Sequence, residues 1–245
     1  MGRVLLVRHG QASFGAADYD VLSDVGWEQG RLLGAHLARL GVRPDLLVRG
    51  ALRRHRETLD AVGEGAGWTL AAEEDARLDE FDHLAVVASH PEFAARGADL
   101  DRRSFQALFE EATALWMAGS DPVAGGAGGP VRAGGADAAA GESFLAFRDR
   151  VQAALADLAA QAGPGRTVVA VTSGGVIAAL ASALVLDVDL AASPAPADPV
   201  GPVWQRLNAV CVNTGVTSLV VGASGVRLLT FNAHEHLGGA TLTYR

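Results

Sequence analysis

Gly2-Arg3-Val4-Leu5-Leu6-Val7-Arg8-His9-Gly10 is the stretch on which the reading of this chain turns. Its four consecutive apolar residues read as a short buried strand, although periodicity alone does not separate such a run from a turn of helix. The run stops on a cation, an imidazole and a glycine. In open α/β sheets, ligands sit in the crevice beyond the carboxyl ends of the strands, where strand gives way to loop. Arg8-His9-Gly10 falls at that place if the stretch opens such a sheet. On these residues alone, a ligand site and a plain polar strand end are equally tenable.

Outward from this strand, the chain alternates. Gln11 to Leu22 has no periodicity and reads as loop, and Ser23 is a good N-cap for a helix carrying Val25, Leu32, Leu33, His36, Leu37 and Leu40, with Gly41 as its stop. His36, on the apolar face, reads as a core histidine. Leu46 to Val48 is a second strand ending on Arg49-Gly50. A helix from about 51 to 62 follows, with Leu52, His55, Leu59 and Val62 on one stripe. Its first turns hold Arg53, Arg54 and Arg56, cations that oppose the helix dipole unless an anion sits there, so an anion site is favoured over a solvated basic face. Thr69 to Glu73 is a third strand. Asp79, Glu80 and Asp82 after it form either a surface turn or the place of one partly buried acid beside a reaction centre.

From Leu84 to Gly141 the character changes, and an insertion over one end of the sheet is expected. His90-Pro91-Glu92 reads as a surface turn, Asp101 to Met117 as an amphipathic helix through Phe105, Leu108, Phe109, Ala112, Leu115 and Trp116, and Gly119 to Gly141 as a glycine- and alanine-rich loop. A helix from Glu142 ends at Gly163-Pro164-Gly165. Thr167 to Thr172 is the clearest buried strand and runs through Ser173-Gly174-Gly175 into an apolar helix, Val176 to Leu186. Pro194, Pro196, Pro199 and Pro202 mark a loop, Trp204 to Leu207 a short helix, and Val216 to Val221 with Val226 to Phe231 a hairpin. The alternation predicts an α/β fold, a three-layer α/β/α sandwich on a mainly parallel sheet, forming a single domain over 1–245 with an insertion at about 84–141.

Composition narrows the function classes. With 49% hydrophobic and 20% charged residues, the 245-residue chain is ordinary globular material. No apolar run approaches the ~18 residues of a membrane span, and the N-terminus shows no signal-peptide pattern. The single Cys211 excludes an internal disulfide framework and suits a reducing cytosol. A formal charge of −8 argues against a general nucleic-acid binder. Lysine is absent, so every fixed cation is arginine and a P-loop is excluded. Val171 stands where a nucleophile elbow needs glycine, and no dinucleotide fingerprint follows the first strand. His234 and His236 lack zinc-site spacing and read as two surface histidines.

One set of motifs fits in order. Arg8-His9-Gly10, Leu22-Ser23-Asp24-Val25-Gly26, the run Leu52 to Thr58, Leu78-Asp79-Glu80, Gly141-Glu142-Ser143-Phe144 and Asn232 to Leu237 together resemble the histidine phosphatase superfamily, the phosphoglycerate mutase-like group. The resemblance implies that His9 is the nucleophile that forms a phosphohistidine, its other ring nitrogen held by a backbone carbonyl. It implies phosphate binding by Arg8 and Arg54, with Arg53 one residue away as the alternative, and acid–base work by Glu80. Arginine forks suit phosphoryl transfer, which depends on positioning and on stabilising spread negative charge. No cofactor or metal is implied.

The sequence also departs from that pattern. Ser173 stands where the resemblance places a second histidine, with Gly174 beside it as a phosphate-binding backbone position. Gly50 replaces a usual serine, and Glu57 a usual glutamine. A hydroxyl can donate to a phosphate oxygen but carries no charge, and losing one transition-state donor typically costs about 10²–10³ in rate. His90 and His234 are the histidines considered for the missing role. The expected function is therefore a phosphomonoester hydrolase acting on a phosphorylated small molecule, with no nucleic-acid or membrane partner and homodimerisation open. A catalytically weak or inactive phospholigand-binding protein is the alternative. Mutase-type phosphotransfer ranks below both.

Overall fold

The computed structural model describes residues 1–13, 20–96, 102–119, 141–192 and 198–244. The sheet holds β1 (Gly2–Arg8), β2 (Leu46–Arg49), β3 (Ala72–Glu74), β4 (Thr167–Thr172), β5 (Val216–Gly222) and β6 (Gly225–Ala233), in the order β3-β2-β4-β1-β5-β6. Strands β3, β2, β4 and β1 pair in parallel, β5 runs antiparallel to β1, and β6 closes the edge as an antiparallel hairpin with β5. The fold is thus α/β on a mainly parallel sheet, as the alternation of elements led one to expect.

Helices α1 (Asp24–Arg39) and α2 (Arg53–Ala66) pack on each other and on one sheet face. Leu5, Val7, Val169 and Val171 meet Leu33, Leu37, Leu59 and Val62 in that layer. Because side chains alternate along a strand, Val4, Leu6, Val168 and Ala170 turn to the opposite face and are fully buried. Helix α7 (Gly174–Leu186) packs on β1 and β6. It is apolar almost all round, as a buried helix must be. Helix α1 begins where Ser23 Oγ accepts the Gly26 N–H at 3.1 Å. Gly41, just beyond its end, takes φ +70°, a left-handed conformation that suits glycine.

By contacts, the described residues form two compact units, Met1–Glu80 with Arg150–Arg245, and Phe81–Asp149. The described residues of 84–141 fall in the second unit. There α3 (His83–Ala88), α4 (Pro91–Arg96) and α5 (Arg102–Met117) precede the first turns of α6 (Phe144–Gln161). Trp116 is its anchor: stacked on Phe81 at 4.7 Å, edge-on to Phe144 at 4.9 Å, with Nε1 donating to the Glu142 carbonyl at 2.7 Å. Residues 120–140, with most of the glycine-rich stretch, and Pro194 and Pro196 lie outside the described residues.

Several expectations change. His90-Pro91 is the entry to α4, with Pro91 at the first helical position, where its missing N–H is harmless. His90 is buried, not on the surface, with Nε2 3.8 Å from Glu111. Pro202 sits inside α8 (Val200–Val210), again in a first turn where no N–H is required. The third strand starts later, at Ala72, and is exposed on the sheet edge. His36 is only half-buried. Among the described residues, no helix is long and apolar enough to cross a membrane.

Leu6, fully buried in β1 between two neighbouring strands, tests the packing of this layer. Leu6→Ala is expected to cost about 2–5 kcal/mol, seen as a lower urea midpoint at an unchanged m-value.

Candidate active site

The sheet brings three strand ends together. Arg8 is in register with Thr172, and the His9 N–H continues the ladder onto the Thr172 carbonyl at 2.9 Å. His9 and Ser173 therefore leave β1 and β4 side by side, both in phase with residues that face α1 and α2. Beside them the Gly50 N–H reaches the Val171 carbonyl at 3.1 Å as β2 hands over to α2.

His9 is held from several sides. Its Nδ1 lies 2.8 Å from the Gly10 carbonyl, which can only accept, so Nδ1 carries the proton and the lone pair is on Nε2. Thr58 Oγ1 accepts the Gly10 N–H at 2.9 Å, and Asn213 Nδ2 donates to the His9 carbonyl at 3.1 Å. Burial above all, then the charges of Arg54 and Arg8 and the nearby His55, push the His9 pKa well below the ordinary histidine value, against the pull of the Gly10 bond. The ring is neutral near pH 7, the state a nucleophile requires.

Among the cations, Arg8 donates from Nη1 to the carbonyls of Cys211 and Tyr244, the latter at 2.6 Å. Arg54 is buried and bonds Asp20 at 2.8 Å, whereas the Arg53 side chain is half exposed and pairs with Glu57 at 2.7 Å. Of the two, Arg54 is the one whose charge bears on His9. The anion demand expected at the start of α2 is met by carboxylates of the chain itself. Asp20 Oδ2 accepts the Arg53 N–H at 2.7 Å, and Asp79 Oδ1 accepts those of Ala51 and Leu52 at 2.7 and 3.3 Å.

The neighbouring acids divide their work. Glu80 Oε2 accepts the Gly175 N–H at 3.1 Å in the first turn of α7, while Asp82 caps α3. Gly174 sits close to Arg8, since a Cβ there would lie 3.4 Å from the Arg8 Nε and 2.9 Å from Asn208 Oδ1.

Ser173 is fully buried, and its Oγ is 2.8 Å from Nε2 of His55, a residue given no role beyond its place on the helical stripe. The His55 ring lies 5.7 Å from that of His9, and its Nδ1 is 3.4 Å from Asp79. Burial lowers the His55 pKa, with Asp79 pulling upward, Arg54 downward and Glu80 upward. Burial opposes ionisation of Asp79 too, but His55 and the Leu52 and Ala51 N–H groups hold its carboxyl below the usual value. His234 is bonded elsewhere, to the Asn232 carbonyl at 2.6 Å, and His90 belongs to the other unit. His234 and His236 are half-buried, not surface histidines; His236 Nε2 meets Thr214 Oγ1 at 3.0 Å. Sequence reasoning missed His55, Thr58 as a clamp on Gly10, and Asn213. Among the described residues, no group of three or more His, Cys, Asp or Glu could hold a metal ion.

The chain belongs to the histidine phosphatase superfamily (branch 1), whose family model matches residues 4–114 and 130–197. Its solved relatives include phosphatases. A mycobacterial glucosyl-3-phosphoglycerate phosphatase in complex with VO3 is 26% identical with a TM-score of 0.59, over 95% of this chain and 100% of that one. A mutant phosphoserine phosphatase from Entamoeba histolytica in complex with phosphoserine (17% identity, TM-score 0.61, 97% and 100% covered) shares the fold. So does a phosphoglycerate mutase from Bacillus anthracis (17%, 0.59, 96% and 94%). No curated protein gives a significant match.

The buried imidazoles set an acid limit on stability. His9 and His55 titrate below the ordinary value of 6.5 when folded, and burial lowers His236 to about 4. Between the folded and unfolded pKa values the unfolded chain binds more protons, so this stability is complete above 6.5 and lost as pH falls. Urea midpoints should drop from pH 7 to pH 4.5, and less steeply in His236→Gln.

Proposed function

We propose that this protein hydrolyses phosphomonoesters through a phosphohistidine on His9. The observation that carries the reading is the pinned, neutral imidazole, with Nδ1–H on the Gly10 carbonyl and Nε2 left as the basic nitrogen at the mouth of the parallel strands. Nε2 attacks phosphorus, the bond to the ester oxygen breaks, and Glu80 gives that oxygen its proton. Water then attacks phosphorus as Glu80 takes the proton back, the P–N bond breaks, and His9 and phosphate are released. Arg8, Arg54, the Ser173 hydroxyl and the Gly174 backbone bind the phosphoryl oxygens, with Asp20 yielding Arg54 to the substrate. The substrate is a phosphorylated small molecule, met in the cytosol; relatives described as phosphatases favour hydrolysis over mutase transfer.

A second reading, binding of a phospholigand without turnover, draws on Ser173, a neutral group where the superfamily resemblance places a histidine. An aryl phosphate assay separates the two. Wild-type protein should release phosphate, and His9→Ala should fall to background; equal rates for both proteins would remove His9 from the reaction. Phosphate protection against thermal unfolding with no turnover would establish the second reading instead.

A further inference from the structure

Gly50 and Ser173 are far apart in the chain and border the same ring, that of His55. Ser173 Oγ is 2.8 Å from His55 Nε2. A Cβ on Gly50 would fall 2.2 Å from His55 Nδ1 and 2.4 Å from Asp79 Oδ1, distances no real side chain tolerates. The missing side chain at 50 and the small one at 173 therefore make one space, and His55 fills it completely, at 0% exposure. Behind the ring stands Asp79, itself fixed by the Ala51 and Leu52 N–H groups. In front of it stands Ser173, beside His9.

We infer that Asp79, His55 and Ser173 form a relay that turns the Ser173 hydroxyl onto the phosphoryl group on or near His9 and sets a protonated imidazole behind it, with His55 as a positioning residue acting through the serine. The inference rests on the phosphohistidine reading above. In the free protein the groups facing His55 are Asp79, Glu80, Arg54 and His9, and burial outweighs the carboxylates, keeping the ring neutral. Nε2 then accepts the Ser173 hydroxyl proton, which turns the hydroxyl away from any ligand. A bound dianion changes the balance. His55 takes one proton from solvent, which becomes an Nε2–H that hydrogen-bonds to Ser173 Oγ, and the serine's O–H, keeping its own proton, turns to the phosphoryl oxygen. A second imidazole on α2 thus supports the site through the serine, and binding is coupled to proton uptake.

Tungstate, a tetrahedral dianion that takes no proton of its own at pH 8, tests this with the full chain. Titration calorimetry in two buffers of different ionisation enthalpy should show uptake approaching one proton per tungstate in wild type. Uptake should be lost in His55→Gln, which keeps a neutral partner for Ser173, and reduced in Asp79→Asn, which keeps the oxygen that caps α2. The aryl phosphatase rate should fall about 10²–10³-fold in Ser173→Ala, and the exchange His55→Ala with Ser173→His should recover part of it where Ser173→His alone, crowded by His55, does not. Tungstate binding with no proton uptake in wild type, or uptake unchanged in His55→Gln, overturns the relay and leaves the phosphatase reading standing. No tungstate binding and no His9-dependent turnover overturns both. The wild-type measurement decides even if a variant fails to fold.

Discussion

The parallel pairing of β1 with β4 is the constraint from which the site follows. Their ladder runs one residue past the strands, through the His9 N–H and the Thr172 carbonyl, so the two chain segments emerge at the same height. Parallel strands cannot be joined by a hairpin and need helical crossovers. Those crossovers place the starts of α2 and α7, whose first N–H groups have no partner within the helix and are met by Asp20, Asp79 and Glu80, at the same edge as His9. The histidine at the end of β1, the helix ends and the acids are brought together by connectivity before any side chain is chosen.

Helix α2 shows how this arrangement handles charge. Three arginines in its first turns, with no side-chain cap at Leu52, would leave its positive end exposed. Asp20 and Asp79 reach it from two directions, and each also engages a side chain of the helix, Arg54 and His55 respectively. The helix end is thus neutralised by groups that also fix the orientation of two residues beside His9.

Much of this was legible in the sequence. The strand Thr167–Thr172 and the helix capped by Ser23 were visible because a buried strand and a capped amphipathic helix each leave a local pattern. The expected site residues His9, Arg54 and Ser173 lie at strand and helix ends of one unit, with Glu80 in the connection beyond β3. His55 was hidden for a physical reason: a histidine at a stripe position of an amphipathic helix carries the same periodic signature whether it fills a core or faces a site. Its partner Ser173 is 118 residues away, and no window along the chain spans that separation. Pro91 and Pro202 misled because proline breaks helix interiors but is accepted in first turns, and only the neighbouring geometry tells which applies.

Gly50 carries a wider consequence. It is a mould: the missing Cβ leaves the hollow in which a ring from the following helix and a carboxylate from beyond β3 both fit. Read column by column, positions 50, 55, 79 and 173 are independent features of a sequence. In space they are one compound character whose members are acceptable only together. A side chain at 50 expels the ring, and a larger one at 173 competes for its place. Covariation among these positions, not the identity of any one of them, is what would mark other chains built on the same plan.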